Sequence, residues 1–227
     1  PIPVLTPRQL DAREKWMKLW HETLPNKYGV IENFNHGYPA QLYQPCERTV
    51  RTLEVGAGLG EHVTWENLEG QEYHMLEYRE EWVGHLRARH PSLHSFVGDI
   101  QARLNYPDGY FDRVIAIHVL EHLPDLPKAL AEIYRLLRPG GVFDLVIPCE
   151  GGVAYEFARQ ISSARIFRRE FGMDYMPIMR AEHLNIYPEI VRALESFSWQ
   201  RQAGRYFPLR VPIWFVNLCL GLRLTKR

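Results

Sequence analysis

Between residues 111 and 147 the chain runs through three hydrophobic patterns in succession. Phe111-Asp112-Arg113 leads into Val114-Ile115-Ala116-Ile117, a continuous apolar run of the kind expected in a strand covered on both faces. Leu126, Leu130, Ile133 and Leu137 then recur at steps of four, three and four, which predicts an amphipathic helix. Asp125 is placed to cap its start and Pro139-Gly140-Gly141 to end it. Residues 142–147, V-F-D-L-V-I, return to a buried strand.

The same alternation runs upstream. Residues 49–55 read as a first strand, 61–68 as a short helix, 72–78 as a second strand and 93–97 as a third; the fourth spans 111–120. Residues 80–90 are helical, with Trp82, Val83 and Leu86 inward. Strands separated by helices imply an α/β fold, a mostly parallel sheet with helices on both faces. The end of the chain departs from this. Leu218, Leu220, Leu222 and Leu224 alternate strictly with Cys219, Gly221, Arg223 and Thr225, a period of two that predicts a strand. Residues 198–207 supply an antiparallel partner, giving a terminal hairpin; an amphipathic membrane-surface segment over 211–224 is the alternative. At the other end, Thr6-Pro7-Arg8-Gln9 is a capping box opening a helix with Leu10, Met17, Trp20 and Leu24 on one face and Pro25 as its stop. Residues 26–46 read as loop-rich.

Composition narrows the class. Of 227 residues 46% are hydrophobic and 24% charged, ordinary values for a globular protein with a sizeable core. Lys plus Arg and Asp plus Glu each number 27, so no general basic field recruits nucleic acid, and none is expected as a partner. Cys46, Cys149 and Cys219 form no C-x-x-C pair, which suggests a reducing compartment and neither a disulfide framework nor a metal site. The longest apolar stretch, 211–222, is too short to span a bilayer and is broken by Pro212 and Asn217. With no signal peptide legible, the expected location is the cytoplasm.

Chemistry enters at L-E-V-G-A-G-L-G-E, residues 53–61. Three glycines at alternate positions leave a strand end, where they serve positive φ or a ligand pressed against the backbone. A P-loop is excluded, because no G-K-[ST] follows. A nicotinamide fingerprint would want its third glycine at position 61, which is Glu61. A nucleoside without a pyrophosphate fits better. Glu77 ends the second strand 21 residues after Gly56, where a carboxylate can accept a ribose diol, and Asp99 ends the third. Glu54, Glu77 and Asp99 along one edge suit a cationic adenosine derivative.

T-L-E-V-G-A-G-L-G, M-L-E-Y, V-G-D-I, F-D-R-V-I-A-I-H-V-L-E-H-L-P-D and L-R-P-G-G, in that order across residues 52–148, resemble class I S-adenosylmethionine-dependent methyltransferases. The chain is most similar to the type 11 branch that includes the quinone-biosynthesis methyltransferases. The resemblance implies a Rossmann-like seven-stranded sheet whose reversed last strand is the terminal hairpin, with S-adenosylmethionine as cofactor. It implies that Gly56, Gly58 and Gly60 let the backbone approach the methionine moiety, with Glu54 near its amino end. Glu77, beside Tyr78, would hold the ribose hydroxyls, Asp99 and Ile100 would read adenine, and His118 would meet the methionine portion through its backbone.

Methyl transfer from a sulfonium needs in-line alignment, exclusion of water and, for a hydroxyl acceptor, removal of a proton. His122 beside Glu121, and His183 in R-A-E-H-L-N, are the candidate bases, each equally readable as a hydrogen-bonded structural histidine. His36 and Tyr38 belong to a lid or to a plain turn. Residues 161–180 form an acceptor-site insertion carrying Arg168 and Arg169, which face an anionic acceptor or simply solvent. The chain divides accordingly into an N-terminal helix and lid (1–46), a cofactor-binding core (47–150), the acceptor-site insertion and helix (151–197) and the hairpin (198–227), all one domain. The expected activity is transfer of a methyl group to a small or lipid- or nucleotide-linked acceptor, first of all to oxygen of a sugar or secondary metabolite. An RNA or protein methyltransferase, or a non-catalytic cofactor-binding subunit, stands as the alternative. The expected state is a monomer or homodimer, with peripheral membrane contact compatible with the sequence.

Overall fold

The computed structural model describes residues 3–23 and 29–227. Seven strands, β1 (Val50–Val55), β2 (Gln71–Glu77), β3 (His94–Val97), β4 (Phe111–Ile117), β5 (Leu137–Pro148), β6 (Trp199–Phe207) and β7 (Cys219–Lys226), form one sheet in the order β3-β2-β1-β4-β5-β7-β6. The first five are parallel, whereas β7 runs antiparallel between β5 and β6. Strand order reverses between β1 and β4, and the carboxyl edge at such a reversal is where open α/β sheets place their ligands. The terminal hairpin therefore exists, but its second strand is interior: Cys219, Leu220, Gly221 and Leu222 are all buried, not only the leucines.

The helices α4 (Glu80–Arg89), α5 (Leu126–Leu136) and α9 (Tyr187–Glu195) pack on the sheet. Asp125 caps α5 by accepting from the Lys128 N–H at 3.2 Å. In α4, Val83 and Leu86 are buried, while Trp82 is only half-buried. The Pro139-Gly140-Gly141 stretch does not stop the helix. The helix has already ended at Leu136, and the triplet lies inside β5, where the pairing register with β4 shifts between Phe111 and Arg113.

Other expectations are corrected. Residues 61–68 hold only a single 3₁₀ turn, His62–Thr64, because the side chain of Glu66 is drawn inward onto Arg113 and that of His62 onto Glu66. The stretch expected to be loop carries two short helices, α2 (Gly29–Asn35) and α3 (Gly37–Gln41). Tyr38 of α3 is buried against β7, its ring filling the space that a Cβ on Gly221 would need. The amino-terminal helix α1 (Pro7–Thr23) has the expected capping box, Thr6 N–H donating to Gln9 Oε1 at 2.9 Å and Gln9 N–H to Thr6 Oγ1 at 3.3 Å. Its buried face, however, is Ala12 and Trp16, with Leu10 exposed; the side chains of Trp20 and Leu24, and Pro25, lie outside the described residues. The segment after β5, expected to be an insertion, folds into α6 (Val153–Ile161), α7 (Ser163–Phe171) and α8 (Met176–Glu182), with Gly172 in the left-handed region closing α7. Trp16 packs edge-on against Phe167 and Tyr175, which ties α1 to this segment.

One buried ion cluster joins the layers. Arg113 of β4 donates to Asp144 of β5 at 2.7 Å, to both carboxylate oxygens of Glu66 at 2.8 and 3.1 Å, and to the Pro39 carbonyl at 2.7 Å. Arg223 of β7 closes on Asp144 at 2.6 Å and on the Leu42 carbonyl at 2.7 Å. Burial alone would favour a neutral Glu66, but the hydrogen bond from His62 and the Arg113 guanidinium outweigh it and hold the carboxyl at about 2. Among the described residues no helix is long and apolar enough to cross a membrane.

Candidate active site

The glycine turn stands directly after β1, at the carboxyl edge of the sheet. Gly56, Gly58 and Gly60 all have positive φ, 68, 58 and 83°. A Cβ on Gly56 would lie 2.6 Å from Cγ2 of Val119, so the loops leaving β1 and β4 touch at this point. Glu77, buried at the end of β2, accepts from the Gly58 N–H at 3.1 Å and from the Arg79 N–H at 3.0 Å. The carboxylate thus braces the turn and keeps lone pairs for a further donor. Asp99 follows β3 and accepts from the Gln101 N–H at 2.9 Å, with Ile100 buried beside it and Tyr78 exposed beyond β2. Glu54 faces inward instead: it is buried, accepts from the Tyr73 hydroxyl at 2.9 Å, and burial pushes its carboxyl up to about 8.

Beyond β4 the backbone of His118 enters the left-handed region at φ 52°, rare for a residue with a Cβ, while its N–H donates to the Val146 carbonyl at 2.9 Å. Its Nδ1 lies 3.1 Å from Glu121 Oε1. Glu121 is buried, and its other oxygen has no hydrogen-bond partner among the described residues. Burial disfavours its ionised form, but the hydrogen bond with His118 and the neighbouring His122 and His183 outweigh this and hold the carboxyl at about 2.

Both candidate bases arrive at the same place. The Glu121 carbonyl accepts the N–H groups of Leu184 and Asn185 at 2.7 and 3.0 Å, and the Asn185 amide donates to the carbonyls of Leu120 and Leu123. These bonds pin the segment after α8 to the turn that carries His122. The imidazoles of His122 and His183 meet edge-on with centroids 4.7 Å apart. His122 Nδ1 lies 2.9 Å from the Glu182 carbonyl, so that nitrogen carries the proton and Nε2 is the open one. Burial holds His122 below the usual imidazole range despite the nearby Glu121 charge. His183 Nδ1 lies 2.5 Å from Glu150 Oε2, which leaves its Nε2 open as well. Glu150 in turn is held by Arg159 at 3.4 Å, and the same guanidinium contacts Glu156.

Glu150 and Arg159 were not among the expected site residues. Glu150 could have been found: it follows β5 at the carboxyl edge, the position that Glu77 and Asp99 hold after β2 and β3. Arg159 carried no local signal. Arg168 and Arg169 stand exposed in the last turn of α7, Arg169 paired with Glu170 at 2.7 Å. His62 and His74 are both buried and bonded to acids, Glu66 and Glu72. Glu72, His74 and His94 bring potential metal-ligand atoms within 4.8 Å of one another, but at the amino edge of the sheet, away from this site.

Residues 53–145 match the methyltransferase domain family. A probable S-adenosylmethionine-dependent methyltransferase of Mycolicibacterium smegmatis is 42% identical over 73 residues, 32% of this chain and 28% of that protein. The sterol 24-C-methyltransferase of Aspergillus fumigatus is 34% identical over 122 residues, 51% of this chain and 32% of that protein. The alignments thus span about a third or less of either relative's length. A crystal structure of a Pyrococcus horikoshii protein superposes with a TM-score of 0.67 over 92% of this chain and 99% of its own, at 15% identity, a likeness of fold. Sheet order and glycine turn agree with the domain match: residues 53–145 are similar to the methyltransferase domain family, and the chain has the fold of S-adenosylmethionine-dependent methyltransferases.

Proposed function

We propose that this chain transfers a methyl group from S-adenosylmethionine to a hydroxyl of a small or lipid-linked acceptor. The observation that carries the reading is the Glu150–His183 pair, set edge-on to His122 at the carboxyl edge that also holds the glycine turn. The residues present suit the cofactor. The positive-φ glycines offer bare backbone to its amino-acid portion, Glu77 keeps acceptor capacity for a ribose diol, and the oxygen of buried Glu121 that has no partner among the described residues favours a nearby cation.

S-adenosylmethionine supplies an electrophilic methyl group when bound. The protein's part is to hold the acceptor in line, exclude water and take the hydroxyl proton. In this reading His183 Nε2 accepts that proton. Glu150 is a positioning residue that fixes the Nδ1–H tautomer and stabilises the imidazolium formed, while His122 orients the acceptor through its own Nε2. Asp99 and Ile100 would hold the adenine, and the backbone of His118 would meet the methionine portion. Sugars and secondary metabolites with a free hydroxyl are the first acceptors to test. Similarity to a sterol 24-C-methyltransferase supports a second reading, a carbon acceptor that loses a proton after methylation at the same base.

A radiolabelled-methyl screen of hydroxylated and unsaturated lipids and glycosides, followed by identification of the methylated atom, separates the two. An O-methyl product that depends on His183 supports the first. A C-methyl product replaces it with the second, and the absence of transfer to any acceptor class, with cofactor bound, contradicts both.

A further inference from the structure

Helix α6 presents an apolar stripe to the outside. Val153, Phe157 and Ile161, four residues apart and so on one side of the helix, are 73, 66 and 58% exposed. Arg159 of the same helix is buried over Glu150. The stripe continues past the helix start. Gly152 lies so close to the chain at Phe215 that a Cβ would stand 2.7 Å from Phe215 Cα, and Gly151 packs against Ile186 and Trp214. Residues 209–215 then add Leu209, Val211, Ile213 and Phe215, each at least 40% exposed.

This loop is fixed from within. Fully buried Asn217 accepts from the Leu209 N–H at 2.8 Å and donates to the carbonyls of Val211 and Ile213 at 3.1 and 2.9 Å. Trp214 stacks on Tyr187 with centroids 4.9 Å apart. A loop braced by a buried polar residue while its apolar side chains point outward is built to present them, and a contiguous exposed patch of this kind marks an interaction surface.

The flanks are basic. Exposed Arg165, Arg168 and Arg169 lie on α7, directly after Ile161. On the other side, Arg205 and Arg210 line a cleft of about 220 Å³ with Phe34 and Phe207, and residues 204–213 contain no acid. An apolar centre with guanidinium groups to either side complements a bilayer with anionic headgroups: acyl chains take the side chains, and phosphates take the arginines.

We propose that α6 and the 209–215 loop dock the protein on an anionic membrane surface. The docking face is the outer side of the helix whose inner side holds Glu150, so it would bring the histidine site to where a lipid-linked acceptor resides. The docking is independent of methyl transfer and is tested without it.

Flotation with vesicles of phosphatidylcholine alone and of an equimolar mixture with phosphatidylglycerol, using the full chain, Phe157→Asp, Ile161→Ser and Arg210→Glu, decides the matter. The unaltered protein is expected to float with the anionic vesicles and to be released by salt. Phe157→Asp should lower the bound fraction about tenfold or more, from the transfer free energy of one aromatic side chain. Ile161→Ser should lower it less, and Arg210→Glu should remove the preference for phosphatidylglycerol, each with an unchanged melting temperature. Absence of flotation with either vesicle, or flotation indifferent to all three substitutions, overturns the proposal. So does a concentration-dependent dimer in sedimentation velocity that Phe157→Asp dissociates without vesicle binding, which would make a second copy the occupant.

Discussion

The Nδ1 atom of His183 lies 2.5 Å from a carboxylate oxygen of Glu150, although 33 residues separate them. A carboxylate bonded to one ring nitrogen fixes the tautomer that leaves the other free to accept a proton, and Glu150 is buried while His183 stays partly accessible, at 7 and 18% side-chain exposure.

If this pair removes the acceptor proton, Glu150→Gln should lower kcat by about 10–100-fold and His183→Asn by more, on the scale of general-base contributions. Glu150→Asp should recover part of the loss. The pH–rate profile should lose or shift its acidic limb in Glu150→Gln, while affinity for S-adenosylhomocysteine remains unchanged. A purely structural role would instead move melting temperature and cofactor affinity together and leave the profile in place.

Arg113 is a buried charge shared by two acids. Arg113→Met leaves Glu66 and Asp144 without their shared partner, and breaking a buried pair in this way costs about 3–5 kcal/mol. Arg113→Lys should fall between, because one ammonium cannot reproduce contacts with Glu66, Asp144 and the Pro39 carbonyl at once. Denaturant titration measures both. The cluster also sets acid sensitivity: Glu66, held at about 2 against an ordinary 4.5, stabilises the fold above pH 4.5, and that contribution is lost as pH falls toward 2.

Glu54 works in the opposite direction. Its folded-state value of about 8, raised by burial, means that the folded protein keeps a proton which the unfolded chain releases above pH 4.5. Stability from this residue is complete below 4.5 and falls as pH rises toward 8, by up to about 1.4 kcal/mol per pH unit. Glu54→Gln keeps an acceptor for the Tyr73 hydroxyl and removes the ionisation. The variant should therefore gain on the unaltered protein as pH rises from 5 to 8 in parallel denaturant series. A constant difference across that range would mean that Glu54 is ionised in the fold.

Gly56→Ala tests the turn. A side chain there meets both a positive φ and Val119, and the conformational part alone costs about 1–2 kcal/mol. Adding Val119→Ala should relieve the contact but not the conformational cost, so the double variant should melt between Gly56→Ala and the unaltered protein.

What the sequence made legible follows the range of the interactions. The β4 core and α5 were readable because Val114 to Ile117 and the 4-3-4 leucine spacing are local consequences of burial on two faces and on one. Gly56, Glu77 and Asp99 were readable because a strand end fixes where each must stand. The helix expected over residues 61–68 failed because Glu66 answers to Arg113, 47 positions later, which no local pattern announces. The pairing of His183 with Glu150 was hidden for the same reason: it depends on Asn185 clasping the Leu120 and Leu123 carbonyls across more than sixty residues. Pro139-Gly140-Gly141 misled because breakers that end a helix also fit a register shift within a strand.

The most direct measurement is calorimetric titration of the full chain and of Glu77→Ala with S-adenosylmethionine and with S-adenosylhomocysteine. One-to-one binding is expected, with Glu77→Ala weaker by about 1–3 kcal/mol, the cost of removing a buried acceptor from ribose hydroxyls. No heat with either ligand, or equal affinity in the variant, would contradict a sheet edge shaped around an adenosyl ribose.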